Sequence, residues 1–207
     1  MGRRLKPNYD QATEPCQPAR LARRPRPNIL TPAQETWVGR RPAITHEDID
    51  QKVRRVLDGL GVPCELIPID PDYADTAAFC ERYGFPVERS ANTIVVASKK
   101  EPRQFAACVV GADRRLDVNH TVRWLMGVSR LSFADAEDTR ALTGMMIGGV
   151  TVFALPDGLP IYVDDRLMAL DWIILGGGSR SSKIKIAPGV LARLPHATVV
   201  PGLSLGA

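Results

Sequence analysis

The sequence is poor in the residues that most often carry catalysis or bind metals. It holds four cysteines and three histidines among 207 residues, and no two cysteines form a C-x-x-C pair. Because their spacing fits no zinc-ligand pattern, we expect no metal site and no cofactor. Cys64, Cys80 and Cys108 fall in apolar segments that predict strands or helices, where a free thiol behaves as a small hydrophobic side chain. This favours a reducing compartment, and we expect the cytoplasm.

Several other signals are missing as well. No run of about 18 apolar residues is free of Gly and Pro breaks, so the sequence predicts no membrane span. The basic start has no apolar segment behind it, which argues against a secretory signal. There is no G-x-S-x-G elbow and no convincing Ser/His/Asp order. If the protein is an enzyme, we therefore expect backbone donors and a positioned water rather than a side-chain nucleophile.

Positive charge is concentrated at the start of the chain. Residues 1–41 carry nine Lys/Arg and three Asp/Glu, a net +6, so the remaining residues carry −2 of the total of +4. Residues 1–28 hold five prolines and little periodic apolar character, a composition that cannot offset the entropy of ordering. We predict a disordered basic extension over 1–42. It is either an arm that contacts nucleic-acid phosphates or a solvated extension.

The rest of the chain, 43–207, predicts one α+β domain with a mixed β-sheet core surrounded by short helices. Capping residues followed by apolar residues at helical spacing predict helices that begin at Thr45, Asp75 or Thr76, Asp117, Asp135 and Pro188, with a further helical turn around 167–170. Short apolar runs rich in β-branched residues predict strands at 64–69, 93–97, 105–111, 159–163, 172–176, 184–186 and 197–200.

A glycine-rich stretch at 140–165, RALTGMMIGGVTVFALPDGLPIYVDD, is the least ordinary part of this domain. Glycine weakens helices and strands, but it lets a backbone approach another group closely. Two interpretations are open. The stretch is a hairpin that crosses the core, or it is a loop whose N–H groups face a ligand, with Asp164 and Asp165 arriving nearby.

A second glycine-rich segment, GGGSRSS at 176–182, also allows two interpretations. It lacks the third glycine and the following helix of a dinucleotide fingerprint, and no Gly-Lys-Ser/Thr is present. It is either a plain glycine-rich hairpin or a loop that holds a phosphate or ribose through its N–H groups, Ser179 and Arg180.

The order of these segments carries a resemblance. TIVV, VVGADRRLDVNHTVRWLMG, LTGMMIGGVTVF, LPIYVDD and GGGSRSSKIKI follow one another as in the YbaK-type aminoacyl-tRNA deacylases, a superfamily that includes the editing insertion of bacterial prolyl-tRNA synthetases. The similarity covers about 46–202. It implies hydrolysis of a small amino acid wrongly esterified to the 3′ end of tRNA, in a pocket that excludes the larger correct one.

The resemblance also implies a set of site residues. Gly148 and Gly149 would form the catalytic loop whose backbone meets the ester, and Asn92 would be the third catalytic residue, at a position where the family commonly has lysine. The substrate would be bound by Thr93, Val150, Thr151, Asp164, Gly178, Ser179 and Arg180. The implied partners are tRNA with an aminoacylated 3′ end and, as a second expectation, an aminoacyl-tRNA synthetase.

Two departures from the family pattern keep a second hypothesis open. Asn92 replaces the lysine, and the glycine loop continues into Val150, Thr151 and Val152 where the family commonly has Gly-Gly-x-Ser-Pro. An asparagine hydrogen-bonds but supplies no charge. The alternative is therefore a catalytically weak or silent relative that binds tRNA ends or an aminoacyl ligand.

Overall fold

The computed structural model of the protein describes residues 46–206. The predicted basic extension lies outside this range, as do the first three residues and the last residue of the predicted domain. Across the described range, none of the helices combines the length and the apolar character that a bilayer crossing requires.

The helices are short and are bounded by capping residues. At the start of the last α-helix the Asp135 carboxylate accepts a hydrogen bond from the Asp138 N–H at 2.7 Å, and Gly144 ends that helix with φ 74°. These bounds confirm the predicted helix. The α-helices within residues 46–206 are α1 (His46–Leu60), α2 (Thr76–Tyr83), α3 (Arg123–Leu125) and α4 (Ala136–Thr143).

Other predicted helices are π- or 3-10 helices rather than α-helices. The segment that begins after Asp117 is a π-helix, Val118–Val122, which runs directly into α3. The predicted helix after Ala187 is a 3-10 helix. The 3-10 helices are Pro71–Tyr73, Val87–Arg89, Val152–Ala154, Asp165–Ala169 and Pro188–Arg193.

All seven predicted strands are confirmed, with ends displaced by up to two residues, and three very short strands were not predicted. The described strands are β1 (Cys64–Pro68), β2 (Ala91–Ser98), β3 (Phe105–Gly111), β4 (Arg115–Leu116), β5 (Leu131–Phe133), β6 (Ile161–Asp164), β7 (Ile173–Gly176), β8 (Ser182–Ile186), β9 (Ala197–Val200) and β10 (Ser204–Leu205).

The strands form a mixed sheet of five, in the order β5-β2-β3-β6-β9. β2 pairs antiparallel with β3 and β5, whereas β6 pairs parallel with β3 and β9. A separate antiparallel sheet has the order β1-β8-β7, and β10 pairs with β4. This confirms the predicted α+β class with a mixed sheet and short helices.

The central strands are apolar on both faces because both faces are covered. Val95 and Val109 belong to the core cluster that includes Ile49 of α1, whereas Val96 and Cys108 point to a second cluster on the other side. A strand buried on both faces reads as a continuous apolar run. Burial raises the pKa of the Cys108 thiol far above its usual range, so it remains a neutral core side chain.

The segment GGGSRSS connects β7 to β8, which confirms the glycine-rich hairpin interpretation. Gly178 has φ 104° and its N–H donates to the Gly149 carbonyl at 2.8 Å. A Cβ placed on Gly178 would lie 2.6 Å from Ile49 Cγ2 and 3.0 Å from Val53 Cγ2. Glycine is thus required here both for its dihedral angle and for the close packing of the hairpin on α1.

Substituting Gly178 tests this packing. Gly158 is a matched control, since it also has positive φ (80°) but a Cβ there would meet nothing within 4 Å. We expect Gly158→Ala to lower the free energy of unfolding by about 1–2 kcal/mol through backbone strain alone. Gly178→Ala should cost about 1–3 kcal/mol more, because the Cβ overpacks the core. Urea unfolding measures both, and equal losses would contradict the packing role.

Candidate functional site

A cavity of about 390 Å³ opens where four segments of the chain meet. One wall is the first half of β2, with Asn92 and Thr93, and the facing wall is the turn that contains Gly148 and Val150. The start of α2 and Lys183 of β8 complete the polar side, and Phe133 and Ile147 lie at its apolar side. The volume lies within the range of small-molecule sites.

The β2 wall of the cavity is a gap in the edge of the main sheet. The Val95 carbonyl accepts from the Ala134 N–H at 2.9 Å, and β5 pairs with β2 only from Val96 to Ser98. On the other side of the gap, β7 reaches β2 through a single bridge at Ser90. The backbone of an antiparallel strand alternates between its two neighbours, so Thr93, like Val95, directs its N–H and C=O away from β3. These two groups therefore face the cavity.

The facing wall is a turn rather than a strand, so the hairpin interpretation of the central stretch was wrong. Gly148 and Val150 line the cavity, and their N–H groups donate no hydrogen bond to any residue that the structure describes. Gly149 behaves differently. Its N–H donates to the Met146 carbonyl at 3.0 Å, and its own carbonyl accepts from Gly178. The available donors are the amides on either side of Gly149, not that of Gly149 itself.

Asn92 and Thr93 line the cavity, as the resemblance implied for their positions. The Asn92 side-chain oxygen accepts a hydrogen bond from the Thr76 hydroxyl at 2.6 Å. Its amide group remains available as a donor. The buried Thr93 hydroxyl has no hydrogen-bond partner among the described residues, and a buried polar atom of this kind usually requires one.

Two cations of the β7–β8 hairpin region hold the cavity walls together. Arg180 donates to the Pro71 carbonyl at 2.9 Å and to the Ile147 carbonyl at 2.8 Å, and it pairs with Asp75 at 3.3 Å. Lys183 donates to the Ala74 carbonyl at 2.6 Å and to the Gly148 carbonyl at 3.0 Å. We call this pair of cations and the four carbonyls the double clamp. Each cation joins the 71–75 loop to the 147–148 turn.

Lys183 is 4% exposed, and its ammonium lies 5.5 Å from the centroid of the Phe79 ring. Burial lowers the pKa of Lys183 to about 8, against an opposing contribution from Asp75 that raises it. The lysine is thus charged at neutral pH but loses its proton far more readily than an exposed lysine does.

Several residues that the resemblance assigned to substrate binding do not line the cavity. Asp164 is buried, accepts from the Arg166 N–H at 3.2 Å, and bonds the Ser204 hydroxyl. It caps the 3-10 helix that follows β6. The expectation that Asp164 lies beside the substrate is therefore corrected, because its carboxylate oxygens accept hydrogen bonds from Arg166 and Ser204.

The hairpin residues and Thr151 lie behind the cavity walls. The Ser179 hydroxyl donates to Asp50 of α1 at 3.1 Å, and the N–H of Gly178 is bound to the Gly149 carbonyl. Arg180 does not line the cavity itself but contacts two residues that do, Ile147 and Asp75. Thr151 is fully buried, without contact to the cavity. In this conformation these residues support the walls, so the expected direct contacts are corrected to a supporting role.

Sequence reasoning missed Lys183 and Thr76. A lysine that directly follows the glycine-rich hairpin and alternates with isoleucines in KIKI is the one available signal, and it resembles an ordinary amphipathic strand. Nothing in the sequence shows that Lys183 is buried against α2 while Lys185, two residues on and on the same face of the strand, is half-buried and pairs with Glu65 at 3.4 Å.

The lowered pKa of Lys183 has a measurable effect on stability. Between pH 8 and 10.5 the unfolded chain binds more protons at this lysine than the folded protein does, so the free energy of unfolding rises with pH in that window. Lys183→Met should remove this rise, whereas Lys185→Met should retain it. Denaturant unfolding at pH 7.5, 9 and 10.5 measures the difference. The same pH dependence of the free energy of unfolding in wild type and in Lys183→Met would contradict the lowered pKa of Lys183.

Comparisons with known proteins agree with this architecture. Among solved structures, hypothetical protein APE2540 superposes with a TM-score of 0.67 at 25% identity, covering 74% of this chain and 99% of that chain. A proposed trans-editing enzyme for prolyl tRNA synthetase superposes with a TM-score of 0.65 at 23% identity, covering 81% of this chain and all of that chain. The second likeness shows a shared fold.

The family itself is shown by sequence. Residues 70–194, more than half of the chain, match the family described as the aminoacyl-tRNA editing domain. This range includes both walls of the cavity, the start of α2 and both cations of the double clamp. The protein therefore belongs to the aminoacyl-tRNA editing domain family, within the superfamily of the YbaK-type deacylases.

Proposed function

We propose that this protein is a trans-acting, cytoplasmic aminoacyl-tRNA deacylase that hydrolyses the ester between a small mischarged amino acid and the tRNA 3′ end. The observation that carries the proposal is the cavity lined by the free edge at Thr93 and by Gly148 and Val150, whose N–H groups have no hydrogen-bond partner among residues 46–206. Family membership supports a deacylase-type role. The proposed partners are the aminoacylated tRNA and, in translation, its synthetase.

The two walls suit the two ends of an aminoacyl ester. An α-ammonium group donates to the Thr93 carbonyl, and the ester carbonyl oxygen accepts from the N–H groups of Gly148 and Val150. As water attacks, negative charge develops on that oxygen. Each fixed donor stabilises it by on the order of 3 kcal/mol in a water-poor site.

The reaction needs no nucleophilic side chain. The oxygen of a water molecule bonds to the ester carbonyl carbon while the bond to the ribose oxygen breaks. One water proton goes to the leaving ribose hydroxyl, and the amino acid is released as its carboxylate with the other proton passed to solvent. Thr76 donates its hydroxyl proton to Asn92, so its oxygen lone pairs accept a hydrogen bond from the attacking water.

We expect the cavity to admit small amino acids, as the resemblance implies. Gly176 lines the cavity and packs directly against the turn, since a Cβ added to it would clash with the Val150 carbonyl oxygen, so the cavity is closed between β7 and the turn. A pocket that admits the smaller substrate and excludes the larger one acts as the second sieve of a double-sieve scheme.

Release of amino acid from mischarged tRNA tests the function. The protein is incubated with tRNAs charged with alanine, serine or cysteine, and remaining ester is measured over time against buffer. We expect faster loss with at least one of them and no acceleration for a tRNA charged with a large amino acid. Absence of release with every small amino acid would remove the enzymatic proposal; retained binding of the tRNA 3′ end would then favour the silent relative.

Two large apolar side chains at the cavity remain exposed, Phe133 by 56% and Ile147 by 53%. An exposed ring beside a polar cavity suits stacking with the terminal adenine, and one such contact is worth about 1–3 kcal/mol. We expect Phe133→Ala to raise KM about 5- to 100-fold with little change in kcat.

Trp124 is the matched control for this contact, since it is 60% exposed but does not line the cavity. Trp124→Ala should leave KM within twofold of wild type. Steady-state deacylation with a minihelix substrate measures both variants, and equal effects on KM would dismiss Phe133 as a stacking platform.

A further inference from the structure

We propose that Lys183 supplies the positive charge of the deacylation site and donates its remaining N–H to the carbonyl oxygen of the bound ester. This inference rests on the proposed function and deepens it. It assigns a role to a buried lysine on β8, on the other side of the cavity from the Asn92 wall.

The hydrogen bonds of Lys183 leave one donor for a ligand. An ammonium group has three N–H donors, and two are directed to the carbonyls of Ala74 and Gly148 at 2.6 and 3.0 Å. Because Lys183 also lines the cavity, the third is available there. The same ammonium is bound to the Gly148 carbonyl, so it lies beside the turn whose amides would meet the ester oxygen.

The surroundings of Lys183 do not neutralise its charge. The groups that face it are the Phe79 ring and Cys80 of α2, Asp75 in the preceding loop, and Arg180 of the hairpin. The Asp75 carboxylate is paired with the Arg180 guanidinium at 3.3 Å. The net effect is an ammonium held in a partly desolvated wall, where its field on a nearby oxyanion is less screened than in water.

This arrangement also accounts for the asparagine at position 92. Asn92 bonds Thr76 and Lys183 bonds Ala74, so both side chains are attached to the same short segment at the start of α2. The charge that the family's usual lysine would bring from β2 arrives instead from β8.

Lys183 acts here as a charge and a hydrogen-bond donor, without covalent chemistry. It keeps its proton throughout, while the water and ribose protons move as described above. The oxyanion accepts the third N–H of the ammonium together with the backbone donors. Loss of the proton removes the charge and leaves a weaker donor, so the contribution to kcat should decline above pH 8.

The test compares Lys183→Met with Lys185→Met, since Lys185 is a half-buried lysine on the same strand that does not line the cavity. We expect Lys183→Met to lower kcat about 100-fold, the usual loss for one oxyanion donor, with KM within threefold. Lys185→Met should stay within twofold of wild type. After the rate of uncatalysed hydrolysis is subtracted, the kcat of wild type should fall above pH 8. The kcat of Lys183→Met should not show this fall.

A second-site variant separates charge from structure. Asn92→Lys in the Lys183→Met background returns an ammonium to the cavity from the other wall, and we expect at least tenfold recovery of kcat. Circular dichroism and melting temperature confirm that each variant is folded. A Lys183→Met protein with more than half of the wild-type kcat, or a folded double variant without recovery, would overturn the inference.

Failure of the proposed function has a different signature. If wild type releases no amino acid, affinity for a non-hydrolysable 3′-aminoacylamido-adenosine is measured instead. Binding at least tenfold weaker in Lys183→Met than in Lys185→Met would support the contact without the catalysis. Equal affinities, or no binding by wild type, would overturn the assignment of Lys183.

Discussion

The candidate site depends on the double clamp. The loop before α2 and the turn around Gly148 belong to parts of the sequence about 70 residues apart, and the ladders described do not join them. Arg180 and Lys183 connect them through four backbone carbonyls. Hydrogen bonds from charged donors are shorter and stronger than neutral ones. These hydrogen bonds therefore fix the distance between the two loops that bound the cavity, although no strand or disulfide of the described residues joins them.

The site lies at a break in sheet pairing, and this explains why backbone groups dominate it. β5 ends at Phe133 and β7 reaches β2 only at Ser90, so Thr93 lies between them with polar groups that no residue in the described part of the chain pairs. Open sheet edges invite association with other chains, so proteins usually cover or shorten them. Here the open part of the β2 edge is only a few residues long and lies in the cavity. Its N–H and C=O groups are therefore directed at the cavity and not at the edge of another chain.

A site built from amides and one buried cation suits reactions whose difficulty lies in charge development. An aminoacyl ester is an activated electrophile, so stabilisation of the oxyanion and placement of a water supply much of what a catalyst can add. The neutral Cys108 in the core is consistent with chemistry that uses no thiol. Because Lys183 comes from β8, the cavity retains a cation although position 92 holds an asparagine.

Local chemistry made much of the fold predictable. Asp135 and Gly144 bound a helix because a carboxylate satisfies free amides and glycine accepts left-handed dihedral angles, and both effects act within a few residues. The apolar runs at 93–97 and 105–111 predicted buried strands for an equally local reason. The three missed strands have two or three residues each, too few to show any periodicity.

The site was only partly accessible from sequence. The motif order predicted that Asn92, Thr93, Gly148 and Val150 belong to one site, and all four line one cavity because the fold brings their segments together. Tertiary contacts decided which backbone and side-chain polar groups of the site remain free to bind a ligand. The Gly149 N–H donates to the Met146 carbonyl, and Asp164 caps a 3-10 helix. Lys183 is buried against Phe79 of α2, whereas Lys185, on the same face of β8, is only half-buried. Such choices follow from pairing register and from the position of the hairpin on α1, and these depend on residues far away in the chain.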